Sequence, residues 1–97
     1  MGSIKDFNHG ANGDIDTTAE QLSTRKTATT IGVLIRASIG NAGIVYVGKE
    51  GVTAGTTDAT DGFELGAGES LTIEIDRVDK VWVIASEANQ RVSWLVV

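Results

Sequence analysis

The chain has 97 residues, room for one domain, and its 41 % hydrophobic and 22 % charged residues are the balance of a globular fold. A formal net charge of −5, with Lys5, Arg25, Lys26 and Arg36 scattered rather than clustered, excludes the dense basic patch that a nucleic-acid partner needs. With no cysteine there is no disulfide and no cysteine zinc site, and no apolar run approaches the ~18 residues of a membrane span.

Residues 1–29 hold few large apolar side chains, namely Ile4, Phe7, Ile15 and Leu22, among Gly, Asn, Asp and Thr. Such a stretch buries too little apolar area to order itself. It is expected as an extended N-terminal arm with one edge strand near 15–24, because its threonines suit extended backbone. A helical turn over Thr18–Arg25 is the alternative. Met1-Gly2-Ser3 opens no signal-peptide-like apolar stretch, and Asp6 stands where a myristoylation signal wants Ser or Thr. The expectation is a protein soluble where it is made.

Residues 30–97 read as strand, turn, strand. Ile31, Val33, Ile35 and Ala37 alternate with Gly32, Leu34, Arg36 and Ser38, a period of two. Gly40-Asn41-Ala42-Gly43 is a turn, Ile44–Val47 a short strand, and 48–62 a long loop rich in Gly and Thr. Phe63 and Leu65 are expected as inward anchors, and Gly66-Ala67-Gly68 as the next turn. Leu71, Ile73 and Ile75 then face one way and Thr72, Glu74 and Asp76 the other, the signature of a half-buried antiparallel strand. Arg77-Val78-Asp79 connects to strands over Lys80–Ser86 and Arg91–Val97, joined by Glu87-Ala88-Asn89-Gln90. Short strands at this spacing predict an all-β fold, a small antiparallel β-sandwich or partly open barrel. The last strand is apolar on both faces, with Val92, Trp94 and Val96 on one and Leu95 and Val97 on the other. Trp94 and Val96 are therefore expected in core or subunit packing.

No constellation of reactive side chains emerges, and the expectation is a protein that is not an enzyme. His9, the only histidine, lies in the glycine-rich arm, which offers neither the rigid setting nor the orienting partner of a general base. Asp14 and Asp16 are close in sequence, as are Asp58 and Asp61. Asn12-Gly13-Asp14-Ile15-Asp16 lacks the further ligands and terminal Glu of a calcium loop, and turns in which Asp caps backbone groups explain both pairs, so no metal or cofactor is expected. Gly51-Val52-Thr53-Ala54-Gly55 lacks the Lys-Ser/Thr ending of a phosphate loop. Tyr46 and Trp82 form a possible surface contact or sugar-stacking platform, since Trp82 has the opposite parity to Val81 and Val83. The competing reading packs Trp82 in the core or under the arm.

The segments Gly43-Ile44-Val45-Tyr46-Val47-Gly48, Gly51-Val52-Thr53, Gly62-Phe63-Glu64-Leu65-Gly66-Ala67-Gly68-Glu69-Ser70-Leu71, Val81-Trp82-Val83-Ile84-Ala85-Ser86 and Val92-Ser93-Trp94-Leu95 occur in this order. In this series residues 31–97 resemble a family of small tailed-phage virion proteins that includes head decoration (cement) proteins. The family often carries proline in the third segment, where this chain has Glu64 and Ala67. The resemblance does not extend to the arm.

The resemblance implies a β-sandwich on the virion, made in the host cytoplasm, homo-oligomeric with a trimer expected, and bound to the major capsid protein lattice. Ile4, Phe7, Ile15 and Leu22 of the arm are then the expected capsid contacts, because an extended segment can add a strand to a neighbour's sheet. The same fold serves at head–tail joints and on tails. A carbohydrate-binding module, with a host-surface glycan on Tyr46 and Trp82, is the reading from another class.

Overall fold

The computed structural model describes residues 8–97. Eight strands follow one another: β1 His9–Ile15, β2 Glu20–Gln21, β3 Val33–Ala37, β4 Val45–Gly48, β5 Phe63–Leu65, β6 Ser70–Ile73, β7 Trp82–Ala85 and β8 Gln90–Val96. A single 3-10 turn, Val78–Lys80, precedes β7. The strands form two four-stranded sheets, β1-β8-β3-β6 and β2-β7-β4-β5, and every pairing of neighbours is antiparallel. The fold is thus the all-β sandwich expected, with no closed barrel.

Short connections stack the edges of the two sheets in pairs. Residues 16–19 join β1 to β2 at one side, and residues 66–69 join β5 to β6 at the other. The sheets meet through alternate side chains: Val33, Ile35 and Ala37 of β3 and Val92, Trp94 and Val96 of β8 face Val45 and Val47 of β4, Leu65 of β5, and Val83 and Ala85 of β7. Burial of a Val, Leu or Ile side chain stabilises by about 1.5–3 kcal/mol, so this shared layer dominates the folding energy.

The arm expected over residues 1–29 is the main correction. From His9 onward it belongs to the sandwich and gives each sheet an edge strand. β1 runs along β8, with Gly10 opposite Trp94, and β2 runs along β7. Ile15 and Leu22 are 0 % and 3 % exposed in the common core. The glycine content that reads as disorder has a packing cause: a Cβ on Gly10 would lie 2.6 Å from Cζ2 of Trp94. Nor does a boundary at residue 30 separate two units, because Val78 N–H donates to Thr27 O at 3.0 Å and Thr29 N–H to Asp76 O at 3.0 Å. The edge strand expected near 15–24 is β2, and no helical turn forms over Thr18–Arg25.

Two smaller differences concern exposure. The last strand is central, paired with both β1 and β3, which fits its apolar content. Its second face is nonetheless not covered, since Leu95 is 38 % exposed. Leu65 is an inward anchor as expected, whereas Phe63 is 60 % exposed although it sits opposite the core-facing Val47.

Candidate binding surfaces

The groups that bear chemistry are dispersed. Among the described residues no three His, Cys, Asp or Glu side chains come together as metal ligands. His9 stands on β1 opposite Leu95. Asp16 turns its carboxylate to the N–H of Thr17 at 2.7 Å, while the N–H of Asp14 is taken by Asn12 Oδ1 at 3.0 Å. Asp61 organises the long loop. Its carboxylate accepts from Thr53 Oγ1 at 2.7 Å and from the N–H groups of Asp58 at 2.8 Å and Thr57 at 2.9 Å. The Thr53 hydroxyl, followed by the Asp58 amide, holds the Asp61 carboxyl below its ordinary range. One carboxylate of each pair, Asp16 and Asp61, therefore caps backbone groups of a local turn.

That loop folds back over the outer face of the second sheet. Val52 seats against Gly48 and Gly62, where an added Cβ would fall 2.7 Å from Val52 Cγ2 at either position. Beneath it lies a second apolar cluster of Tyr46, Val52 and Ile84, with Ala19, Ile44 and Trp82 at its margin. Tyr46 and Trp82 share this outer face, as their strand parity predicts, but they differ in access. Tyr46 is 6 % exposed and lies within the covered cluster, so it is no stacking platform; Trp82 is half-buried with its remainder in solvent.

The β1/β2 edge is polar and closed. Asn12 Nδ2 donates to Glu20 Oε1 at 2.9 Å across the two sheets, Gln21 Nε2 donates to the Asp79 carbonyl at 3.0 Å, and Leu22 N–H donates to Val81 O at 2.8 Å. Next to it, the Arg77 guanidinium brackets Asp79: NH2 donates to Oδ2 at 3.2 Å, and Nε stands 3.0 Å from Oδ1 as an ion contact off hydrogen-bond geometry. The β5/β6 edge is apolar and incomplete. Leu71 and Ile73 of β6, and Ile75 beyond it, are only partly buried against the core, and Phe63 of β5 is largely exposed.

Of the residues expected to contact a partner, Ile4 and Phe7 lie outside the described residues. Ile15 and Leu22 are corrected: both are sealed inside the sandwich, and no partner can reach their side chains without unfolding the edge. Trp94 and Val96 pack in the core of the chain itself. Phe63, expected to face inward, is instead a largely exposed apolar side chain. Alternation with Leu65 marks it as inward, and the three-residue length of an edge strand, which leaves it uncovered, is not written in its neighbours.

The chain matches no protein-family model, no curated protein and no solved structure. What its geometry defines is a small antiparallel β-sandwich with one closed polar edge, one open apolar edge and a half-exposed tryptophan on an outer face.

Proposed function

We propose that the chain is a structural protein of a phage virion, of the capsid-decoration type, which binds the major capsid protein lattice and copies of itself and stabilises the head. The observation that carries this reading is the apolar β5/β6 edge, where Phe63 of β5 is 60 % exposed and Leu71 and Ile73 of β6 are only half-buried. An exposed apolar edge strand is a liability in a free monomer and an asset in an assembly. The resemblance of residues 31–97 to virion decoration proteins supplies the kind of assembly, and the sandwich suits a protein that works by contact.

In this reading the edge with Phe63 meets a second copy, in a homotrimer, and the leading segment with Ile4 and Phe7 meets the capsid. Repetition over a lattice lets modest single contacts add up. The test adds the full-length protein to heads that lack it and follows co-sedimentation and resistance of the heads to heat. Bound protein and raised heat resistance are expected, with both lost in an Ile4→Ser/Phe7→Ser variant that still melts like the parent. Heads that neither bind the parent protein nor gain resistance would refute the reading.

A further inference from the structure

The surface around Trp82 has a different character from the open edge. Trp82 lies in β7, with Gln21 of β2 opposite it on one side and Gly48 of β4 on the other. Its inner part packs on the cluster of Tyr46, Val52 and Ile84, which holds the indole in place. On either side is a shallow depression. One, of about 510 Å³, is walled by Asn12, Glu20 and the chain through Thr24; the other, of about 590 Å³, is walled by Lys49, Glu50 and Lys80. Trp82 and Gln21 line both, so the two form one trough with an aromatic at its middle. Each is within the size range of small-ligand sites.

We propose that this trough binds a neutral oligosaccharide, with one pyranose ring stacked on the exposed part of Trp82 and its hydroxyls hydrogen-bonded by the side chains of Gln21, Asn12 and Glu20. The C–H face of a sugar ring carries slight positive charge and is attracted by the negative face of an indole. The polar groups beside it are planar and already oriented: Gln21 is pinned by the Asp79 carbonyl at 3.0 Å, and Asn12 and Glu20 hold each other at 2.9 Å. Groups fixed before the ligand arrives lower the entropy cost of binding. Charge decides against an ionic ligand. Lys80 is paired with Asp76 at 2.7 Å and Asp79 with Arg77, so the trough presents Glu20 and Glu50 against Lys49 and no strong field of one sign. Glu20, Lys49 and Glu50 at the walls likewise disfavour a wholly apolar peptide.

The inference goes beyond the capsid-binding reading and does not depend on it. Its test titrates the full-length protein with cellohexaose, maltohexaose, laminarihexaose and mannohexaose while tryptophan emission is followed. Trp94 is buried against Gly10, so a ligand-induced change and protection from acrylamide quenching report on Trp82. At least one hexaose is expected to bind, about 30-fold more weakly in Trp82→Ala, the loss expected of an aromatic contact anchor. Gln21→Ala, which leaves the core intact but removes the bond to the Asp79 carbonyl, is expected to weaken binding while lowering the melting temperature by no more than the few degrees one edge hydrogen bond contributes. No response to any of the four at millimolar concentration would overturn the proposal. So would a Trp82→Ala variant that keeps full affinity, or one that binds sugar normally but loses attachment to heads, which would make the trough a protein contact. Sugar binding without head binding would leave this inference standing and remove the capsid reading.

Discussion

The two long edges of the sandwich are finished by opposite means. At the β1/β2 edge the leading segment crosses from one sheet to the other and is tied down as it goes. Ala85 N–H donates to Asp16 O at 2.8 Å, Leu22 N–H to Val81 O at 2.8 Å, and Asn12 joins Glu20 across the gap, while Ile15 and Leu22 fill the core behind. At the β5/β6 edge the crossing is a turn braced by Glu69 Oε1 accepting from Gly66 N–H at 2.6 Å, and the side chains above it stay partly in solvent. Natural sheets manage their edges explicitly. Here one edge is managed by the leading segment, and the other keeps apolar side chains partly in solvent. Residues with little apolar content can therefore be integral to a fold, while apolar residues can be left outside it.

The comparison breaks most readily at Ile15 and Leu22. Truncating either to alanine is expected to cost about 2–5 kcal/mol, the range for large-to-small changes in a close-packed core, read as a lower urea midpoint. A midpoint equal to that of the parent would mean that the leading segment is not part of the folded unit. Gly10→Val probes the same edge by overpacking: a side chain driven into Trp94 is expected to cost about 1–3 kcal/mol and to change Trp94 emission. Glu20→Ala removes the acceptor of Asn12 Nδ2 and is expected to cost about 1 kcal/mol, with Glu20→Gln retaining most of it. At the other edge Phe63→Ser is expected to change monomer stability by no more than about 0.5 kcal/mol, as an exposed position should, while abolishing self-association in light scattering. A large loss of monomer stability there would make Phe63 a core residue and remove the contrast.

β3, β6 and β8 were legible because each alternates between more and less buried positions. The alternation of Leu71, Ile73 and Ile75 with Thr72 and Glu74 appears in the structure as half-buried and exposed positions. The leading segment was not legible for a physical reason. β1 contributes mainly backbone, and position 10 must be glycine because Trp94 lies against it, so composition alone resembles a disordered arm. Tyr46 misled for a related reason: its outward parity is real, but Val52, six residues on in a loop, covers it. Side-chain pairs such as Asn12 with Glu20, or the Asn41 amide that exchanges hydrogen bonds of 2.8 and 2.9 Å with the Arg91 backbone, depend on register between distant segments and leave no local mark. Of the candidate site, the parity of Trp82 was visible in advance, whereas the trough beside it and the exposure of Phe63 were not.

The smallest effect is expected from pH, and it falls on the open side. The loop held by Asp61 ends where Gly62 N–H donates to Thr53 O at 3.0 Å, one residue before Phe63. The Asp61 carboxyl is held below the ordinary value of 3.8 by Thr53 and by the Asp58 and Thr57 amides, so the folded state favours the ionised form. For a group with a lowered folded pKa the stabilisation is complete above the unfolded value and is lost as pH falls through the folded one. The amide resonances of Thr57 and Asp58 should then shift with a midpoint below 3.8, and Asp61→Asn, which keeps an acceptor but cannot titrate, should flatten that transition. The packing of β1 on β8 has no part in this loop, so the Gly10 and Trp94 resonances should not follow the same curve. If they do, acid is unfolding the whole sandwich together, and the loop next to Phe63 is no looser than the closed edge.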